Sequence, residues 1–238
     1  MPCESTVYIG DHAYLPYSTK TRTLIRRRVR KIIQFLIAKH VKLIVIACNT
    51  ATVAGIDVYR RWFPDIPIIG VVPVVKTATA VSKTKKIIVL STIFTAKSVY
   101  QKKLIRQFAG GCRVYNLGCP NLVSFVEAAK LQGPILEKEL RAILAPVVAK
   151  DADVIALGCT HYPFLKDQIR AIVGEDIAIL DSGGAVARHV RRILERNYIQ
   201  ASGRRASHEF YSTRRWLKAS SIASTLFQKK VHVRYATI

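Results

Sequence analysis

The sequence predicts an α/β protein of two pseudo-symmetric lobes, each a mainly parallel sheet flanked by helices, with the active site between the lobes. Three observations carry this expectation. Short β-branched apolar runs alternate along the chain with helical patterns, the signature of βαβ units. Two of the runs belong to an internal repeat, because Ala38 to Cys48 aligns without a gap on Ala149 to Cys159 at a constant offset of 111 residues. Each copy ends in a cysteine placed where a strand buried on both faces of a parallel sheet would stop, and ligands of open α/β sheets bind at the carboxyl ends of strands.

The elements follow in order. A strand is expected from Thr6 to Ile9, then a helix from about Thr23 to Ala38, in which Ile25, Val29, Ile32, Ile33 and Leu36 recur at helical spacing. Apolar runs predict strands at Leu43 to Ala47, within Ile66 to Val72, and at Lys86 to Leu90. A helix near Ser98 to Phe108, a strand at Arg113 to Leu117 and a long helical pattern from Gly133 to Ala149 come next. Strands at Val154 to Leu157 and Ala178 to Leu180 precede a helix from Gly184 to Tyr198. Turn-forming residues interrupt the pattern at Pro67 to Pro73 and at Asp181 to Gly184. The lobes are therefore expected at 1–73 plus 185–238, carrying Cys48, and at 74–184, carrying Cys159. Ala201 to Ile238 is basic and irregular, and its Lys230 to Tyr235 run is expected as a peripheral strand or part of a disordered tail.

Half of the 238 residues are apolar, yet no apolar run approaches the roughly 18 residues of a membrane span. The opening Met1-Pro2-Cys3-Glu4-Ser5 lacks the basic and apolar regions of a secretory signal, so a cytoplasmic protein without membrane contact is expected. Five cysteines without regular spacing read as free thiols of a reducing compartment. The net charge of +23 raises the question of a nucleic-acid partner. The seven basic residues between Lys20 and Lys31 read instead as the solvated face of an amphipathic helix, and no binding motif accompanies the charge.

Cys48 is followed by Asn49, Thr50, Ala51 and Thr52, and Cys159 by Thr160, His161, Tyr162 and Pro163. Small hydroxyl and amide side chains after a strand end cap the next helix, whose N-terminus attracts anions and stabilises a thiolate. Two strand-end cysteines facing each other would hold one small molecule between two thiols. Zinc on Cys159, His161 and Cys48 or Cys119 is the competing arrangement, but no CxxC or HxxxH pair supports it. Cys3, Cys112 and Cys119 have no repeat partner and read as structural.

Cys48-Asn49-Thr50-Ala51-Thr52 and Gly158-Cys159-Thr160-His161-Tyr162-Pro163 resemble the two signature segments of the glutamate racemases, within the aspartate/glutamate racemase superfamily. Further matches occur in order: Tyr8 to Asp11, Pro16 to Lys20, Gly70 to Pro73, Val123 to Glu127, Asp181 to Gly183, and Phe210 to Thr213. The resemblance implies cofactor-independent inversion of the α-carbon of glutamate, one thiolate removing the α-proton while the opposite thiol donates another. By position it makes Cys48 and Cys159 the acid/base pair, with His161 assisting Cys159 and Glu127 orienting that histidine. Pro16, Tyr17, Ser18, Asn49, Thr50, Thr92, Thr95 and Thr160 would hold the substrate. It further implies a supply of D-glutamate for peptidoglycan and allows a homodimer.

Family members open on a strand and an Asp-Ser-Gly-x-Gly-Gly turn that this sequence does not contain; its first strand corresponds to their second. That departure would leave a sheet edge unpaired and Cys48 without a supporting carboxylate, impairing activity. Ser18, Ser91 and Phe94 stand where the family prefers glycine or glycine-like positions, and Phe94 would narrow the pocket. The competing readings are a racemase of aspartate or another amino acid, and a catalytically silent basic binding protein.

Overall fold

A computed structural model describes residues 1, 3–203, 205–215 and 219–238, so positions 204 and 216–218 of the basic tail lie outside the described residues. In chain order the elements are β1 (Thr6–Gly10), α1 (Arg22–Ala38), β2 (Ile44–Ile46), α2 (Asn49–Trp62), β3 (Ile68–Gly70), α3 (Val75–Val81), β4 (Lys86–Thr92), α4 (Ile93–Lys97), α5 (Val99–Phe108) and β5 (Arg113–Cys119). They continue with α6 (Leu122–Glu127), α7 (Pro134–Val148), β6 (Val154–Gly158), α8 (Lys166–Val173), β7 (Ala178–Leu180), α9 (Gly183–Arg196), β8 (His208–Ser212), α10 (Ala219–Phe227) and β9 (Val233–Tyr235). The fold class is α/β, as the alternation predicts.

Two compact units divide the chain: Met1–Ile46, Gly55–Ile69 and Gly183–Ile238 form the first, Ala47–Ala54 and Gly70–Ser182 the second. The sequence places Cys48 in the first lobe, whereas residues 47–54 group with the second unit. The reason is local. Thr52 Oγ1 accepts from the Val71 amide at 3.2 Å, and Thr50 Oγ1 bonds Thr92 Oγ1 at 2.9 Å, while the helical backbone of α2 breaks at Gly55.

The second unit is built on a four-stranded parallel sheet in the order β5-β4-β6-β7. Strand alternation sends Ile87, Val89, Val154 and Ala156 to one face, where Val75 and Ala78 of α3 and Ala109 complete a buried cluster. Ile88, Leu90, Ile155 and Leu157 leave from the other face, and Leu136, Leu140 and Leu144 of α7 and Ile169 of α8 are buried as well. Each such side chain removed from water stabilises the unit by about 2 kcal/mol. Because both faces are covered, the strands read as continuous apolar runs. Gly158 ends β6 under close contact: a Cβ there would lie 2.8 Å from Pro73 Cγ and 3.0 Å from the Leu90 carbonyl oxygen.

In the first unit β1, β8 and β9 form a parallel sheet in that order, and β2 pairs with β3. The α1 stripe of Ile25, Val29, Ile33 and Leu36 is buried, and Phe35 meets Tyr211 of β8 edge to face at 5.2 Å. Two expectations need correction here. Arg28 is not part of the solvated basic face: it is 3% exposed, and its Nε and Nη2 donate to Asp11 at 3.1 and 2.8 Å. Asp11 also accepts from Tyr17 at 2.6 Å and Thr213 at 2.7 Å, and four donors on one carboxylate make a buried charge tolerable. The second correction concerns the tail. Its described part contains β8, the central strand of a sheet, and α10, and only β9 is peripheral. His-Glu-Phe-Tyr-Ser is too polar to read as a strand, yet Tyr211 and Ser212 are buried on it.

Candidate active site

The carboxyl ends of β4, β5, β6 and β7 carry Thr92, Cys119, Cys159 and Asp181, and Cys48 opens the turn into α2 within the same unit. Parallel strands put all these ends on one edge of the sheet, as the general rule for ligand sites in such sheets requires. A single hydrogen bond braces the two cysteine turns: Thr160 Oγ1 donates to the carbonyl oxygen of Ala47 at 3.0 Å, joining the residue after Cys159 to the residue before Cys48. Charge on Cys159 also reaches the Cys48 thiol. Burial pushes the Cys48 thiol up to about 11, against the amides of Ala51 and Thr50 that favour its thiolate, and charge on Cys159 adds to the rise. The Ala51 amide lies 3.5 Å from Cys48 Sγ, the helix N-terminus contact that the sequence predicts.

Cys159 is 7% exposed and opens onto a polar chain. Its Sγ lies 3.8 Å from His161 Nδ1, and His161 Nε2 meets Glu127 Oε1, at the end of α6, at 2.6 Å. Burial disfavours the imidazolium, but Cys159 and Glu127 together outweigh it and hold His161 up at about 10. The ring is therefore cationic at neutral pH. A positive imidazolium 3.8 Å from the Cys159 sulfur attracts negative charge developing there.

Beside the cysteines three buried threonines form a closed triangle. Thr50 Oγ1 lies 2.9 Å from Thr92 Oγ1 and 3.3 Å from Thr95 Oγ1, and Thr92 Oγ1 lies 3.0 Å from Thr95 Oγ1. Thr92 also caps α4 by accepting from the Thr95 amide. The predicted residues Thr50, Thr92 and Thr95 are thus brought together from the start of α2, the end of β4 and the middle of α4. Asn49 is different: it is 2% exposed, and neither its Oδ1 nor its Nδ2 has a partner. An unpaired buried amide costs about 1–3 kcal/mol, and a functional role is one reason that native structures retain such a group.

Pro16, Tyr17 and Ser18 belong to the first unit, where the Tyr17 hydroxyl donates to Asp11. The sequence names Cys119 only as an alternative zinc ligand and reads it as structural, yet it borders the site. It ends β5, Tyr162 reaches its carbonyl oxygen at 3.5 Å, and burial, with charge on Cys159 adding to the rise, drives its thiol up to about 12. Its place at a strand end was the available signal, but it has no repeat partner to mark it. Among the described residues no three His, Cys, Asp or Glu side chains are grouped so as to hold a metal ion.

Residues 1–190 match the Asp/Glu/Hydantoin racemase family. The chain belongs to that family. It is 37% identical over 213 residues to the glutamate racemase of Pseudomonas aeruginosa, covering 90% of this chain and 80% of that protein. A second relative, the glutamate racemase of Ectopseudomonas mendocina, is 35% identical over 235 residues and spans 98% of this chain and 89% of its own length. Among solved structures, a glutamate racemase isoform of Bacillus anthracis superposes with a TM-score of 0.91 at 30% identity, over 100% of this chain and 89% of that one. The Francisella tularensis glutamate racemase in complex with D-glutamate gives 0.86 at 28% identity, over 100% and 88%. These likenesses make the chain an enzyme of the isomerase class, a racemase.

Proposed function

We propose that the chain interconverts L- and D-glutamate by cofactor-independent, two-base proton transfer between Cys48 and Cys159. The observation that carries this reading is the braced pair of cysteine turns, with charge on Cys159 reaching the Cys48 thiol. One thiolate takes the α-proton as the other thiol gives one to the opposite face, and the two exchange roles with the hand of the substrate. Cys48, held protonated by burial, stands ready as the donor, while the imidazolium of His161 draws charge to Cys159, and Glu127 fixes the ring. The hydroxyls of Thr50, Thr92 and Thr95, the unpaired amide of Asn49, and Thr160 offer bonds to the substrate's carboxylates and ammonium. Preorganised donors of this kind stabilise the carbanionic transition state.

Glutamate is favoured as substrate because the relatives bear its name and a related structure of the Escherichia coli enzyme holds L-glutamate with an activator, UDP-MurNAc-ala. Supply of D-glutamate for peptidoglycan in the cytoplasm, by a monomer or a homodimer, is the cellular role that fits this reading. No helix among the described residues is long and apolar enough to cross a membrane. The test is exchange of the α-proton in heavy water with L- and D-glutamate, and with aspartate for comparison. Exchange with both glutamate enantiomers, lowered about 10²- to 10⁴-fold in Cys48→Ala and Cys159→Ala, is expected. Faster exchange with aspartate would reassign the substrate, and none with any amino acid would leave a silent binding protein.

A further inference from the structure

Alternate residues of β5 face one side of the sheet, and from Val114 they run Val114, Asn116, Gly118. Val114 packs on the buried cluster that contains Ile87, Val89 and Ala109, as an apolar strand position should. The next two positions serve α4 instead. Asn116 Nδ2 donates to the carbonyl oxygen of Ala96, in α4, at 2.9 Å. Gly118 lets the same helix come close to the strand, because an added Cβ would lie 3.0 Å from Ile93 Cα and 3.4 Å from Ala96 Cβ. Two successive positions on one face of β5 therefore hold α4.

That helix needs an outside hold. It is five residues long, and a helix so short does not persist on its own hydrogen bonds. The Thr95 amide donates to Thr92 Oγ1 at 3.3 Å, and the Thr95 carbonyl accepts from Ser98 Oγ at 2.7 Å and from the Ser98 amide at 3.1 Å. The bond from Asn116 fixes the next carbonyl along and comes from a different strand. Meanwhile the Thr95 hydroxyl closes the triangle with Thr50 and Thr92. A shift of α4 against β5 would carry that hydroxyl away from Thr50, which sits on α2.

The Asn116 amide is only half used. Its Oδ1 is buried without a partner, a cost that a leucine of similar size would avoid. Among the described residues the bond to Ala96 is the only one this amide makes, and leucine could not supply it. We propose that Asn116 is a positioning residue for the racemase: by tying the Ala96 carbonyl to β5 it sets α4, and with it the Thr95 hydroxyl, in place for the substrate. This rests on the reading of Thr95 as a substrate ligand.

The experiment compares Asn116→Leu, with Asn116→Ala as a smaller second variant, against Gln101→Leu in the whole chain. Gln101 is a matched control, since it is fully buried at the start of α5 and neither polar atom of its side chain has a partner. Hydrogen exchange followed by mass spectrometry should show the amides of residues 93–98 exchanging about tenfold faster in both Asn116 variants and unchanged in the control. In the Asn116 variants kcat/KM for α-proton exchange of L-glutamate should fall about 10- to 100-fold, mainly through KM, because a displaced ligand group loosens the substrate. In a Thr95→Val background the same substitutions should change kcat/KM less than about twofold. Equal exchange of α4 in the Asn116 and Gln101 variants would overturn the proposal. So would a loss of activity as large with Thr95→Val as without it. An unsubstituted chain that exchanges no amino-acid α-proton would instead refute the two-thiol reading, and the amide comparison alone would then decide whether Asn116 holds α4.

Discussion

Glu127→Gln tests whether the polar chain behind Cys159 works through the charge of His161. The ring's value of about 10 against 6.5 for a free imidazole corresponds to about 5 kcal/mol at 1.36 kcal/mol per pH unit. Two partners share it. His161 and Glu127 side chains are 27% and 25% exposed, and solvent screening leaves on the order of 1–2 kcal/mol for the carboxylate. Removing that charge lowers the imidazole's value by about one pH unit. Because the folded value lies above the unfolded one, the imidazolium's stabilising effect is complete below pH 6.5 and disappears as pH rises through about 10; in the variant it disappears about one unit earlier. The assay is kcat/KM for L-glutamate from pH 6 to 10.5, with urea unfolding over the same range. The alkaline limb of both profiles should move down by about one unit, with activity near pH 6 changed only a few-fold. An unmoved limb, or a uniform loss at every pH, would refute the role assigned to the charge.

Other consequences are as direct. Asn49→Ala should raise the stability of the ligand-free chain by about 1 kcal/mol, since it removes an unpaired buried amide, while raising KM for glutamate about tenfold; chemical denaturation and initial rates measure the two opposed effects. Asp11→Asn leaves Arg28 without its counter-charge and should cost about 3 kcal/mol. The Arg28, Tyr17 and Thr213 bonds hold the Asp11 carboxyl below its ordinary 3.8 despite burial, so its contribution exists above that pH and is lost on further acidification. Acid unfolding of the unsubstituted chain should show that loss, and the variant should not. Gly158→Ala forces a methyl to 2.8 Å from Pro73 and should lower stability by about 1–3 kcal/mol, read as a fall in Tm.

The parallel-sheet elements were legible because both faces of β4 and β6 are covered, which writes an uninterrupted β-branched run into the sequence. Cys48 and Cys159 were legible through their repeat. Arg28 was misread although the signal was there: it falls three residues after Ile25, inside the buried stripe, but the six other basic residues around it made a solvated face the simpler reading. The Asn49 side chain could be named as polar and strand-terminal, whereas its lack of partners depends on what surrounds it in three dimensions. The strand β8 was missed since His208, Glu209 and Ser212 are polar and its apolar partners come from β1, some 200 residues earlier.

That last separation governs how the chain must be assembled. Val7 pairs with Glu209, and Asp11 with Thr213, so the first unit cannot close its sheet or satisfy its buried carboxylate until the final quarter of the polypeptide has been synthesised. The sheet of the second unit lies wholly within residues 86–180. During synthesis that sheet is complete while Asp11 still waits for Thr213 and β1 for β8, and the unit that begins first is the one that finishes last.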